Sequence, residues 1–279
     1  MSTLTIDKAV VTEVAVEVKS SDWKSQKKEF CDAQKYSRMG ETRINNQGSK
    51  MFIIEYSNSQ DVTVQFMDGF ITNASYQHFC DGSVKSPNDA SVYGVGYLGV
   101  GSHQAYIDCK ATIQYNLWKA MIQRCYSAKS FIKHPTYIGC SVSDEFLNFQ
   151  TFATWYDNNS YECESELQLD KDILFKGNKV YSPDMCCLVP RSINMLFVNR
   201  KAKRGNTPIG VTLMNGKYQT RCNAGKGKLE YLGTFDTPEL AFNCYKEFKE
   251  SFIKQVAESY KGVIPQKLYD AMYTYESFY

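Results

Sequence analysis

With 279 residues, 43% of them apolar, the chain can bury a sizeable core and is no disordered tail; it has room for about two to three small domains. Its 32 Lys and Arg stand against 30 Asp and Glu, and a net charge of +2 excludes a uniformly basic or acidic protein, so what matters is where charge collects. The 10 cysteines include no CxxC pair, no apolar run nears the ~18 residues of a membrane span, and no leader pattern opens the chain, so reduced thiols in a cytoplasm are expected, with no structural zinc and no membrane partner.

Residues 1–35 form an N-terminal segment, in which "AVVTEVAVEVK" alternates β-branched and polar residues as a strand does before a charged stretch, "SSDWKSQKKEF". Residues 36–92 carry "MFIIEY", "VTVQF" and "FITNASY" between turn-forming stretches, with Asp68-Gly69 as a hairpin signal. That spacing predicts a small antiparallel β-barrel, either a binding module or a scaffold. "YGVGYLGVG" (93–101) lacks the Lys-Ser/Thr of a phosphate loop and reads as a flexible linker. From Gln114 to Tyr126, Leu117, Met121 and Cys125 recur every fourth residue, with Trp118 and Ile122 beside them, which predicts an amphipathic helix. A second helix follows with Phe146, Phe149, Phe152, Ala153 and Tyr156 on one face, an aromatic stripe that belongs to a core. His134, before a proline, reads as a loop or packing residue.

The stretch "LDKDILFKGNKVYSPDMCCLVPRSIN" (169–194) is different in kind. A short apolar strand ends in Asp170, a polar turn holds Gly177 and Asn178, a second apolar strand runs from Cys186 to Val189, and a helix opens near Ser192 and carries Asn194. On the residues alone, Asp170 closes a loop and Asn194 sits early in a helix. The order, together with the upstream "LWKAMIQRCYS" and "NFQTFA" segments, resembles the HNH (His-metal finger) endonucleases of phages, of homing type, over residues 93–200. That resemblance implies a ββα domain with flanking helices, Asp170 and Asn194 as ligands of a Mg²⁺ or Mn²⁺ ion, and Asn178 as the residue that orients the base. The family's base, a histidine, is replaced by Lys171. A lysine of ordinary pKa, about 10.4, is neutral in only about one molecule in 2,500 at pH 7, so it makes a poor base. Lys171 could instead sit on a phosphate, and Asp172 or a metal-bound hydroxide could take the imidazole's place.

Charge collects downstream of this motif. Arg200, Lys201, Lys203, Arg204, Lys217, Arg221, Lys226 and Lys228 follow one another with no acid between them, whereas residues 134–170 hold acids and no Lys or Arg. A basic block is either a solvated face or a polyanion site. Within it, "IGVTL", "KYQTRC" and "LEYLGTF" read as three strands, the first two joined by Asn215-Gly216, and a helix begins after Thr237 with Pro238 at its first position. Ala241, Cys244, Tyr245 and Phe248 form its sheet-facing side. "YLGTFDTPELAFNCY" resembles the Apetala/ethylene-response-factor type of DNA-binding domain, in which a three-stranded sheet enters the major groove. On that likeness Lys217, Gln219 and Arg221 face double-stranded DNA, Lys226 and Lys228 meet phosphates, and Tyr218 and Thr220 face the helix. Near the end, Leu268, Met272 and Tyr275 either pack back on the body or support a dimer.

The expected fold is therefore α+β and multidomain: a barrel at 36–92, a nuclease-like domain at 93–200, and a sheet-plus-helix module with a terminal helix at 201–279. Two functions fit. One is a metal-dependent endonuclease that nicks or cleaves DNA. The other is a catalytically inactive descendant, a regulator or a phage inhibitor of a host defence protein, acting in the cytoplasm of an infected bacterium. Lys171 and the acidic stretch, a surface for a basic host protein, favour the second.

Overall fold

The structure, a computed structural model, describes residues 25–30, 32–198, 206–225 and 229–278. The strand expected in 9–19 and the basic residues Arg200, Lys201, Lys203, Arg204, Lys226 and Lys228 lie outside the described residues. The fold is mixed α+β, with several small antiparallel sheets and one parallel pair. Contacts divide the chain into two units, the first ending at Asp89 and the second beginning at Ala90.

In the first unit, β1 (Thr42–Ile44), β2 (Lys50–Asn58), β3 (Asp61–Phe66) and β4 (Ile71–Ala74) form an antiparallel meander in that order. The expected barrel does not close. β1 is three residues long and exposed throughout, β4 is four, and the meander leaves them as two open edges. One face is buried: Met51, Ile53 and Tyr56 from β2 lie with Val62, Val64 and Phe66 from β3, under Phe79 of α1 (Tyr76–Cys80). Strict alternation would bring Glu55 to that face. The register slips between Ile53 and Glu55, a bulge that turns Tyr56 inward instead. Asp89 ties the far end down, accepting from Asn45 Nδ2 (2.9 Å), Ser49 Oγ (2.6 Å) and the Ser86 amide (2.8 Å).

The second unit begins with the glycine-rich stretch, which is a packed strap and no loose linker. The Tyr97 amide donates to Leu147 O and Tyr97 O accepts from the Phe149 amide. Gly99 has φ +71°, and a Cβ there would stand 2.2 Å from Asn148 Oδ1, so only glycine allows this approach. A two-residue hairpin, β5 (Tyr106–Ile107) and β6 (Lys110–Ala111), leads into α2 (Ile113–Tyr126), capped by Thr112. Then come α3 (Ala128–Lys133) and β7 (Ser141–Val142). The aromatic stripe is carried by two helices, α4 (Asp144–Leu147) and α5 (Phe149–Asn159), because Asn148 leaves helical geometry and its side chain caps α5 at the Gln150 amide. Trp118, Met121 and Ile122 of α2 bury completely against Phe146, Phe149 and Phe152, and Trp118 Nε1 donates to Phe146 O at 2.8 Å. Each such side chain contributes about 1.5–3 kcal/mol through burial.

β8 (Leu167–Asp170) pairs antiparallel with β10 (Cys187–Pro190), while the short β9 (Val180–Tyr181) runs parallel to β7. All four residues of β10 are buried, which explains the unbroken run "CLVP": Leu188 faces the aromatic core, and Cys187 and Val189 face a second core. That second core is closed by Ile253 and Ala257 of α7 (Pro238–Ser259) and by Leu268 and Met272 of α8 (Gln266–Tyr273), so the terminal helix packs back on the body. The helix expected after β10 is a single turn, α6 (Arg191–Asn194).

β11 (Val211–Met214), β12 (Lys217–Asn223) and β13 (Leu229–Phe235) form the three-stranded sheet, with Asn215 and Gly216 both at positive φ in the first turn. The first half of α7 covers it through Ala241, Phe242 and Tyr245. One long helix thus serves two cores.

Candidate functional site

Of the residues singled out in the ββα motif, Lys171 and Asn178 bond each other, while Asp170 and Asn194 bond neighbouring backbone and Gln168. Asp170 ends β8 opposite Cys187, and its Oδ1 accepts from the amides of Asp172 (2.9 Å) and Ile173 (2.7 Å). The carboxylate therefore folds its own loop. Burial, with Asp172 beside it, pushes its pKa above the usual range despite those two bonds.

Lys171 is only 7% exposed. Its Nζ donates to Asp172 Oδ2 at 2.9 Å and to Asn178 O at 2.8 Å, and it lies 5.9 Å from the centre of the buried Tyr181 ring. Arg124, on α2, stands over the same ring at 5.5 Å. Asn178 closes the loop from the other side. Its Nδ2 donates to Lys171 O and Val180 O, each at 2.7 Å, and its Oδ1 accepts from the Val180 amide at 3.0 Å. Lys171 and Asn178 so form a reciprocal clamp across the 171–180 loop.

Asn194, at the end of α6, donates from Nδ2 to Gln168 Oε1 at 2.9 Å. It is absent from the described lining of the cavity onto which Asp170 opens. The divalent ion implied by the resemblance needs free oxygen donors converging on one space. Asp170 Oδ1 is turned to its own backbone and Asn194 Nδ2 to Gln168, while Asp170 Oδ2 and Asn194 Oδ1, the oxygens left to meet such an ion, take part in neither bond.

The cavity beside Asp170 measures about 350 Å³. Asp170, Asp172, Lys176, Tyr245, Lys249 and Ser277 are among the residues that line it. Sequence reasoning missed Lys249 and Ser277. A signal for Lys249 existed: Ala241, Tyr245, Lys249, Ile253 and Ala257 follow every fourth residue along α7, all buried, so a lysine interrupts an otherwise apolar stripe.

The three-stranded sheet has the opposite character. Thr220 and Cys222 are buried on its helix side, with Thr220 Oγ1 donating to Ala241 O at 2.8 Å, and Tyr218 packs there as well. Lys217 and Arg221 are exposed and Gln219 half-exposed on the other face, as the alternation predicts. Gln219 pairs across the strands with Thr212 and Thr234, and Arg221 with Tyr231 after a register shift at Thr220/Arg221. Lys217 Nζ stands 2.9 Å from Asp236 Oδ1, in an exposed ion pair.

No protein-family model, no curated protein and no solved structure matches this chain. Its function has therefore to be argued from these side chains. Among the described residues no helix is long and apolar enough to cross a membrane.

Proposed function

We propose that the chain is a double-stranded DNA-binding protein built on a frame similar to that of the HNH endonucleases and closed at the position of the catalytic base. In this reading residues 93–200 carry the nuclease-like frame and residues 201–279 the recognition module, similar to an Apetala/ethylene-response-factor domain. The observation that carries the reading is the state of Lys171: a buried ammonium held by Asp172 and by the Asn178 carbonyl has no lone pair to offer water. Support for recognition comes from the open face of β12, where Arg221 and Gln219 present side chains able to bond base edges.

Two measurements on the full chain test it. Duplex DNA titrated at several salt concentrations should bind with an affinity that falls steeply as salt rises. Supercoiled plasmid incubated with Mg²⁺ or Mn²⁺ should remain intact. Metal-dependent nicking that disappears in Asp170→Ala would overturn the closed-site half of the proposal and restore a working endonuclease. Absence of duplex binding at low salt would remove the DNA half and turn the search to a host protein that meets the acidic 134–170 stretch.

A further inference from the structure

The cavity beside Asp170 has a feature that neither its packing nor the DNA reading uses. Lys249 projects from the middle of α7 at 3% exposure and lines the cavity, yet its ammonium makes no hydrogen bond and no ion pair among the described residues. A lysine so placed loses much of its solvation on folding, and a methionine would fill the same stripe without that cost. Ser277, in the same lining, is 4% exposed and its Oγ is buried, with the Tyr275 side chain beside it. Lys249, whose ammonium has no protein acceptor among the described residues, and Ser277 thus line one and the same space.

The rest of the wall narrows what could supply that acceptor. Phe197, Tyr245, Tyr275 and Phe278 give it aromatic surface, and Asp170 and Asp172 offer acceptors of their own. The lining thus carries two lysines, Lys176 and Lys249, as well as the two carboxylates. A volume of about 350 Å³ suits a small molecule and is too little for a duplex.

We propose that this cavity binds a small ligand through an oxyanion, a phosphate or carboxylate, gripped by Lys249 Nζ and the Ser277 hydroxyl, with the ligand's ring or apolar body against the aromatic wall. A charge-assisted bond to such an anion replaces the solvation that Lys249 loses on folding. Burial holds the Lys249 pKa below the usual lysine range, and the bound anion would raise it again. The proposal stands apart from the DNA reading, since it uses neither the β12 face nor the 171–180 clamp.

The test is calorimetric titration of the full chain with inorganic phosphate, adenosine monophosphate and adenosine, alongside Lys249→Met, Ser277→Ala and Lys254→Met. Phosphate and the monophosphate should bind at millimolar concentration or below, and adenosine should bind at least ~10-fold more weakly, a difference of ~1.4 kcal/mol. Lys249→Met should abolish phosphate binding while unfolding no earlier than the parent, which separates loss of a site from loss of the fold. Ser277→Ala should weaken binding several-fold. Lys254, exposed on the same helix, controls for diffuse surface charge, and its replacement should change nothing. Failure of both anions to bind the parent would overturn the proposal, as would equal losses in Lys254→Met and Lys249→Met.

Discussion

The 171–180 loop and the outer face of the three-stranded sheet both present polar side chains at positions where a family resemblance asks for function, and they spend them differently. In the loop, Asp170, Lys171 and Asn178 bond to neighbouring backbone or to each other, and all three serve to fold ten residues that contain no regular element besides the start of β9. On the sheet, backbone pairing already satisfies the strands, so Gln219 and Arg221 are left for a partner. A loop has to recruit side chains to replace the hydrogen bonds it lacks, whereas a strand does not. Polar residues in a motif are therefore a weaker sign of chemistry in a loop than on a paired strand.

That contrast can be broken most directly at Asn178. Asn178→Ala removes three hydrogen bonds and strands the carbonyls of Lys171 and Val180, and should cost about 2–3 kcal/mol in urea unfolding. A midpoint unchanged from the parent would mean the loop is not clamped as described. Asp170 gives the next largest effect. Asp170→Ala loses both amide bonds, about 2 kcal/mol, whereas Asp170→Asn keeps an oxygen to accept them. The pH dependence sharpens this. Burial raises the Asp170 pKa above the unfolded value of 3.8, so the carboxyl's favourable contribution is complete below pH 3.8 and is lost as pH climbs through the raised folded value. Thermal melts of the parent should lose stability over that window relative to Asp170→Asn; parallel curves would contradict the buried placement.

Much of this was legible beforehand, and the gaps have physical causes. The α2 stripe, the 215–216 turn and the in-out alternation of β12 follow from local periodicity and turn chemistry, which a sequence displays directly. The open meander is not legible, because strand spacing does not say whether first and last strands meet. The glycine strap was misjudged because Gly99 serves a contact with Asn148, a residue 49 positions away in the sequence. The locked state of Lys171 depends on the path of the loop to Asn178 and was invisible as pattern. Lys249 is legible as the charged member of an apolar every-fourth-residue series, one residue beyond Phe248, where the sheet-facing stripe expected from the sequence ends.

On the sheet, Arg221→Ala should weaken duplex binding about tenfold or more, in the range of a good base contact, without shifting the melting temperature, since its side chain is exposed. Fluorescence anisotropy with a labelled duplex measures this; an unchanged affinity would mean that face is not the interface.

The smallest expected effect is the most discriminating. Lys217 lies on the same face but is already engaged by Asp236, at 60% and 78% side-chain exposure. Exposed pairs hold little energy, ~0–1 kcal/mol, so DNA would compete with Asp236 for the ammonium at small cost. Lys217→Ala should therefore weaken binding less than Arg221→Ala. Asp236→Asn, which frees Lys217 and removes a negative charge near the phosphates, should strengthen it about two- to threefold at low salt and lose that gain as salt rises. If Asp236→Asn weakened binding instead, the aspartate would be organising the face, and the sheet would resemble the 171–180 loop after all.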